Sequence, residues 1–285
     1  MSAPSRPVLR YLGGKWRLAD WIASQFPPHR TYLEPFGGAA SVLLKKPRAN
    51  CEIYNDLDGD VVEIFRVLRD PTTAERLISS VALTPFAREE FMLAYEVSDD
   101  PMERCRRLLV RSWMGHGSTA VCMRRDPGFR AAHSNRNGLP PSMDWRHLPP
   151  ALVEVVERLQ GVAIEQRPAL GLMARFDRAD TLIYADPPYP HATRSRKRIK
   201  GALQHGYKHE LSDADHRELL AWLTGCASMV VLSGYGCPLY DQALGGWLRL
   251  ERQAMANGGL TRTEVIWINP AAQRASRLFG VDLVA

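Results

Sequence analysis

The residues with the clearest chemical potential form one tetrapeptide, Asp186-Pro187-Pro188-Tyr189. It follows the apolar run Thr181–Ala185, which is typical of a buried strand, so the tetrapeptide is expected in a turn at that strand's carboxyl end. The Asp186 carboxylate and the Pro187 carbonyl are two hydrogen-bond acceptors, and proline offers its carbonyl without a competing N–H. Two acceptors suit the exocyclic amine of adenine, because they draw on its two N–H bonds and favour the pyramidal, nucleophilic form.

The same four residues also suit a base removed from a duplex. Tyr189 could stack on an extruded base, since a stacked and paired amine is out of reach of a methyl donor. Methyl transfer then needs alignment of the reacting atoms and no metal. Asp186, Pro187, Pro188 and Tyr189 are therefore the candidate catalytic residues, and a rigid surface turn after a strand is the alternative interpretation.

Three more segments have the residue types of a nucleoside-cofactor site. Glycines and Lys15 in the turn 11–15 could bring backbone N–H groups and a positive charge to an anion, although a tight turn explains them equally well. The segment 32–41 indicates a strand, a glycine turn and a helix, which is the Rossmann-like arrangement. Asp56 ends the next strand-like run, where a carboxylate can accept hydrogen bonds from ribose hydroxyls; a helix N-cap is its simpler role.

The elements that must position these residues alternate between strand and helix. The predicted strands are Thr31–Leu33, Cys51–Tyr54, Val162–Glu165, Thr181–Ala185, Met229–Leu232 and Thr263–Ile268. The predicted helices include Trp16–Ile22, Ala39–Lys46, Asp58–Leu68 and Asp213–Leu223, the last capped by Ser212. This alternation predicts an α/β fold with a mostly parallel, Rossmann-like sheet.

The middle of the chain has a different character. Thr72–Trp113 indicates consecutive helices without strands, and Gly115–Pro150 is a long stretch rich in Gly, Pro, Asn, Ser and Arg. Such a stretch is unusual in a compact α/β core unless it is an insertion with its own role. We therefore predict a mainly helical inserted subdomain over 62–150, and one catalytic domain formed by 1–61 and 151–285.

Positive charge is concentrated in two segments. The chain carries +6 overall, whereas residues 104–148 carry nine arginines and two aspartates, and residues 191–208 carry six basic residues and no acid. Such clustering is typical of proteins that track a polyanion, although solvated basic loops would look the same. The candidate DNA contacts in these segments are Arg124, Arg125, Arg130, Arg136, Arg194, Arg196, Arg198 and Lys200, most of them expected on phosphates.

Six segments together resemble the Dam-type, alpha-group adenine-N6 DNA methyltransferases. They are RYLGGKW at 10–16, YLEPFGGAAS at 32–41, IYND at 53–56, YADPPY at 184–189, VVLSGYG at 230–236 and NGGLTRTEVIWI at 257–268. They occur in the family's order and cover most of the predicted α/β domain. The resemblance implies transfer of a methyl group from S-adenosylmethionine to the N6 amine of a flipped-out adenine in double-stranded DNA.

The resemblance also implies the site residues. The cofactor-binding set is Tyr11, Gly14, Lys15, Glu34, Pro35, Phe36, Gly38, Asp56 and Asp186, and the insert takes the place of the family's target-recognition domain. Two departures stand out. Ala40 replaces a usual glycine, and Arg10 stands where some members carry a base-contacting lysine, which makes Arg10 a further candidate DNA contact.

Other interpretations remain open at this level: methylation of adenine in RNA, methylation of the N4 amine of cytosine, or a DNA-binding relative without activity. Five scattered cysteines without a C-x-x-C spacing predict neither disulfides nor a metal site. Without an apolar run long enough for a membrane or a secretory signal, we expect a cytoplasmic protein, of bacterial or phage origin, that acts as a monomer or weak dimer.

Overall fold

The computed structural model describes residues 3–117, 128–131, 140–193, 198–199, 202–203, 206–255, 261–280 and 283. Within these ranges the strands are β1 (Thr31–Glu34), β2 (Cys51–Asn55), β3 (Val162–Glu165), β4 (Thr181–Ala185), β5 (Arg198–Ile199), β6 (Ala202–Leu203), β7 (Met229–Gly234), β8 (Leu248–Met255) and β9 (Thr261–Ile268). The α-helices are α1 (Ala19–Ser24), α2 (Ser41–Lys45), α3 (Gly59–Arg69), α4 (Pro71–Leu83), α5 (Arg88–Leu93), α6 (Pro101–Met114), α7 (Pro141–Arg146), α8 (Leu148–Leu159), α9 (Ala169–Arg175), α10 (Asp213–Gly225), α11 (Pro238–Ala243) and α12 (Pro270–Leu278).

Seven strands form one sheet in the order β3-β2-β1-β4-β7-β9-β8. The first five of these are parallel to one another, and β9 runs antiparallel to both of its neighbours. From β1 the chain adds β2 and β3 on one side, then returns to place β4 on the other. Ligands of open α/β sheets bind at the carboxyl ends of strands where the order reverses in this way. The junction of β1 and β4 is such a point.

Both faces of the sheet are covered, as the apolar character of its strands requires. Tyr32, Tyr54 and Leu182 belong to one apolar cluster, which includes residues of α1 to α8 and α12. Leu33 and Ile183 belong to a second cluster, which includes residues of α9, α10 and α11. Neighbouring residues therefore enter opposite layers, because successive side chains of a strand point to opposite faces. Among the described residues, no helix combines the length and apolarity needed to cross a bilayer.

The helices between β2 and β3 pack on the sheet rather than apart from it. The proposed boundaries at 62 and 150 lie inside α3 and α8, and the apolar cluster that contains Tyr32 also contains Leu77 and Leu109 from the insert. The two-part division stays a prediction. In the described residues, the sheet and the helices α3 to α8 share one core.

A buried ionic cluster attaches α8, the helix in which the predicted insert ends, to the sheet. Arg158 on α8 donates to both carboxylate oxygens of Glu52 on β2, at 2.7 and 2.9 Å, and to the Leu43 carbonyl at 2.6 Å. Lys46 donates to the same carboxylate at 2.6 Å. The three charged residues are each at least 90% buried. Such a cluster specifies how α8 lies on β2, because each buried charge needs its partners.

The predicted α/β fold is confirmed, with differences at particular elements. Each of the six predicted strands is present, and Ser212 caps α10 with a capping box. β8 was not predicted, because this edge strand carries charged residues at Arg249, Glu251 and Arg252. Helix α1 begins at Ala19 rather than at residue 16, and the stretch predicted as a loop over 115–150 contains α7 and the start of α8.

We predict that Arg158→Met lowers the free energy of unfolding by about 3 kcal/mol, because it leaves the buried Glu52 carboxylate short of a partner. Urea denaturation followed by circular dichroism measures the change. Arg175→Met, at an exposed position on α9, is the matched control and should change stability by less than about 0.5 kcal/mol. A loss below about 1 kcal/mol for Arg158→Met would contradict the anchoring role.

Candidate active site

A pocket opens at the carboxyl edge of the sheet, where β1, β2 and β4 end. It encloses about 880 Å³ of space, which includes open solvent at its mouth. Every residue of the predicted cofactor set lines it: Tyr11, Gly14, Lys15, Glu34, Pro35, Phe36, Gly38, Asp56 and Asp186. The parallel register explains the convergence, because the segments that follow β1, β2 and β4 leave the sheet at the same edge.

The centre of the pocket is an ion pair between Lys15 and Asp186. The Lys15 ammonium lies 2.9 Å from each oxygen of the Asp186 carboxylate and donates to the Gly13 carbonyl at 2.9 Å. Its side chain is only 4% exposed. Burial lowers the pKa of Lys15, but the nearby charges of Asp186 and Glu264 outweigh that effect and raise it above the ordinary value. Lys15 therefore keeps its proton and orients the carboxylate at the end of β4.

Tyr189 completes this arrangement through its hydroxyl group. It accepts a short hydrogen bond from the Lys15 ammonium and lies 3.0 Å from Oε2 of Glu264, to which it donates. Its ring is 95% buried and contacts the Tyr235 ring edge-on, with 4.6 Å between centroids. Asp186 and Pro188 line the pocket, whereas Pro187 and Tyr189 are not among its lining residues. The stacking role of Tyr189 and the acceptor role of the Pro187 carbonyl stay predictions.

Glu34 is a buried carboxyl group at the end of β1. The Tyr32 hydroxyl and the Leu43 backbone N–H both donate to its Oε2, at 2.8 and 3.0 Å. Burial raises the pKa of Glu34 to about 8, although these two hydrogen bonds act in the opposite direction. The group is therefore largely protonated at neutral pH in the folded protein.

The turn after β1 is held against Asp56. The backbone N–H groups of Gly38 and Asp58 donate to the two oxygens of the Asp56 carboxylate, each at 2.8 Å, and the Tyr54 hydroxyl donates to the Gly38 carbonyl. Gly38 has φ +47°, and a Cβ there would lie 3.0 Å from the Tyr11 ring. Glycine suits this position, because a side chain there would be strained and would press against the Tyr11 ring.

Ala40 has an unexpected backbone conformation. It precedes α2 with φ 53° and ψ 32°, and it is the one non-glycine with a positive φ among the described residues. The left-handed region costs an L-residue about 1–2 kcal/mol. This strain is the physical reason why glycine suits the position, and it shows that alanine is accommodated at a cost.

A short segment absent from the sequence-based prediction forms another wall of the pocket. Residues 207–211 line it, and we call them the pocket strap. Lys208 donates to Asp58 at 2.7 Å and to Asp60 at 2.9 Å, at the start of α3. The Tyr207 hydroxyl lies 2.7 Å from the point that a Cβ on Gly13 would occupy. Sequence reasoning missed this segment because Lys208 was counted only as part of a basic stretch.

Glu264 and Tyr235 were also missed. Of the two, Glu264 could have been recognised from the sequence, because a carboxylate next to the apolar run Val265–Ile268 is unusual for a strand. Its partners come from elements far away in the chain, so only the fold reveals what the charge contacts.

The predicted DNA contacts divide into four groups. Arg130 is used within the protein: its guanidinium donates to the Trp113 carbonyl at 3.1 Å and to Asp144 at 3.3 Å, and its side chain is 11% exposed. Burial and the charge of Arg130 lower the pKa of Arg10 to about 10. Arg198 is described only as part of β5. Outside the described residues lie Arg124, Arg125, Arg136, Arg194, Arg196 and Lys200.

The sheet order, with a ligand pocket across β1 and β4, defines a Rossmann-like methyltransferase fold. Within the described part of the chain, no group of three or more His, Cys, Asp or Glu residues is placed to hold a metal ion. Residues 11–233 match the family described as D12 class N6 adenine-specific DNA methyltransferase. The chain belongs to this family, as its six segments predicted.

Curated relatives agree with this assignment. A DNA adenine methylase of Escherichia coli (strain K12) is 26% identical over 191 residues, and one of Haemophilus influenzae is 27% identical over 199 residues. A DNA adenine methylase of Salmonella typhimurium (strain LT2) is 26% identical over 195 residues. These matches cover 65% of this chain and 64–65% of each relative, just under two thirds of their length.

We predict that Glu34→Gln removes a pH dependence of stability. In the wild type the pKa of Glu34 rises from 4.5 to about 8 on folding, so the folded state holds a proton that the unfolded state releases between those values. The free energy of unfolding contributed by this group is therefore complete below pH 4.5 and declines as pH rises towards 8. Glutamine stays neutral and keeps an acceptor for Tyr32 and Leu43.

Urea denaturation of the cofactor-free protein at several pH values measures this effect. The variant should show a flatter profile and higher stability than the wild type at about pH 8. Glu218→Gln, at an exposed position on α10, should leave the slope unchanged. An unaltered slope in Glu34→Gln would show that Glu34 is ionised in the folded protein.

Proposed function

We propose that this protein transfers a methyl group from S-adenosylmethionine to the N6 amine of a flipped-out adenine in double-stranded DNA. The observation that carries the proposal is the Asp186 carboxylate, held by Lys15 at the carboxyl end of β4 and lining the pocket. The family assignment favours adenine over cytosine and DNA over RNA, because the family's description names adenine and DNA.

The pocket fits S-adenosylmethionine in its chemistry. Asp56 and Asp186 line it with carboxylates, which suit the positive centres and the ribose hydroxyls of that molecule, and the protonated Glu34 adds a neutral hydrogen-bonding group. Tyr11 and Phe36 line it with aromatic surface for the adenine ring. When bound, the cofactor would supply an electrophilic methyl group on a sulfonium centre, whose sulfur–methyl bond breaks as the bond to N6 forms, so that S-adenosylhomocysteine and one N6 proton are released.

The residues of the chain would then position the amine. Asp186 accepts one N6–H, and the Pro187 carbonyl accepts the other, which favours the nucleophilic form of the amine. Lys15 keeps its own proton because its pKa is raised, so it holds Asp186 in place and does not act as the base. Rate enhancement comes from alignment of acceptor and donor within one pocket.

Double-stranded DNA is the proposed partner. The target adenine has to leave the helix to enter the pocket, which enzymes acting on bases achieve by flipping. The insert and the basic segments at 104–148 and 191–208 are the proposed DNA-contacting parts, with arginines mainly on phosphates. Arg10 is a proposed contact close to the pocket, since it immediately precedes Tyr11.

The proposed activity is tested by incubating the purified chain with methyl-labelled S-adenosylmethionine and DNA that lacks methylated adenine. Digestion to nucleosides should yield N6-methyladenine. Asp186→Asn should reduce the rate on the order of 100- to 1,000-fold, because the amine loses its charged acceptor. Asp180→Asn is the matched control: this exposed aspartate precedes β4 at the opposite end of the same strand and should leave the rate unchanged.

Each alternative has its own outcome in this assay. Label on cytosine, or label only on RNA substrates, would replace the proposed substrate. DNA binding with no transfer by the wild type would indicate a relative without activity. Full transfer by Asp186→Asn would refute the mechanism while leaving the activity in place.

The pocket strap yields a separate prediction. Lys208→Met removes both ion pairs to Asp58 and Asp60 and should weaken S-adenosylmethionine binding about 10-fold, since the strap then loses its attachment to α3. Isothermal titration calorimetry measures the dissociation constant. Lys45→Met, which removes a surface ion pair with Asp20 away from the pocket, is the control. An affinity within twofold of wild type would exclude the strap from cofactor binding.

A further inference from the structure

Glu264 has an unusual position for a carboxylate. It lies on β9, paired in register with Arg252 on β8, and it is 92% buried. It lies beyond residue 233, where the family match ends, but within the segment 257–268 that resembles the family. A buried carboxylate is costly unless it is well paired, which makes its partners informative.

The contacts of Glu264 lead directly to the catalytic tetrapeptide. Its Oε2 accepts the hydrogen bond from the Tyr189 hydroxyl at 3.0 Å and lies 4.0 Å from the Lys15 ammonium. A hydrogen bond with the Tyr235 hydroxyl adds to burial in raising the pKa of Tyr235 to about 12. Glu264 therefore contacts both members of the edge-on pair formed by Tyr189 and Tyr235.

The protons that each group can donate set the direction of these hydrogen bonds. An ammonium group can only donate, and Lys15 directs its three N–H bonds to Gly13, Asp186 and the Tyr189 oxygen. Tyr189 thus accepts from Lys15 and has its own proton to donate, and a carboxylate such as Glu264 can only accept. Lys15, Tyr189 and Glu264 thus form a chain of hydrogen bonds that ends on β9, and the Asp186 carboxylate is a second acceptor within reach of the Tyr189 hydroxyl.

We propose that Glu264 is a positioning residue of the active site, acting through the Tyr189 hydroxyl to fix both the Tyr189 ring and the ammonium that holds Asp186. This inference rests on the proposed function, since the groups it positions are those assigned to methyl transfer. Glu264 touches neither the adenine nor the methyl donor in this scheme. Its effect reaches the reaction through the geometry of Lys15 and Tyr189.

The test compares Glu264→Gln with Tyr189→Phe and the double variant, using labelled methyl transfer to unmethylated DNA. Glutamine keeps the shape but loses the charge, so kcat should fall on the order of 10- to 100-fold, as misplacement of catalytic groups does. The KM and the dissociation constant for S-adenosylmethionine should change less than about twofold, which a general loss of structure would not allow. Glu251→Gln, on the exposed face of neighbouring β8, is the matched control and should retain full kcat.

The double variant tests the route of the effect. The effects of substituting residues that act through one another are non-additive. In the Tyr189→Phe background, which lacks the hydroxyl, Glu264→Gln should therefore lower kcat less than about threefold. If Glu264→Gln fails to fold, Tyr189→Phe decides alone, because it breaks the same chain from the other end and must lose kcat on the same scale.

Several results would overturn the inference. They are a kcat of Glu264→Gln within twofold of wild type, equal losses in both backgrounds, a parallel loss of cofactor affinity, or a loss below twofold in Tyr189→Phe where that variant decides alone. Failure of the proposed function would look different, since the wild type itself would then transfer no methyl group to adenine.

Discussion

A buried ammonium group is the constraint on which the pocket depends. Lys15 lies near the start of the chain and is enclosed with Asp186, from the end of β4, and Tyr189. Removing an ammonium from water costs several kcal/mol, so the N-terminal turn is stable only where these partners compensate it. The requirement places the turn 11–15 across the carboxyl edge of the sheet, and that placement forms one wall of the pocket.

The N-terminal segment also connects the pocket to the inserted helices. The indole N–H of Trp113 on α6 donates to the Val8 carbonyl at 3.0 Å, and the Arg10 backbone N–H donates to the Ser112 hydroxyl at 2.7 Å. Residues that precede Tyr11 are therefore attached to the insert, and Lys15, which follows it, is attached to the tetrapeptide 186–189.

Much of the site could be predicted from local signals. Three features can each be recognised from a few neighbouring residues: the strand that ends in Asp-Pro-Pro-Tyr, the glycine turn after Glu34 and the carboxylate of Asp56. The parallel sheet brings the three together at one pocket. Glu264 and Lys208 could not be assigned in the same way. Their roles depend on partners about 75 to 250 residues away, at Tyr189, Lys15 and Asp58.

The sequence by itself determined the fold class, the family and the nine predicted cofactor residues that line the pocket, because strand periodicity, turn chemistry and motif spacing are local properties of the chain. Only the tertiary structure decided which charges are paired. Arg130 was predicted to contact DNA, yet it lies against Asp144 and Trp113. Lys208 was counted as part of a basic segment, yet it attaches the pocket strap to the start of α3. The physical reason is that a charge interacts through space, so its partner is set by packing and not by its neighbours along the chain.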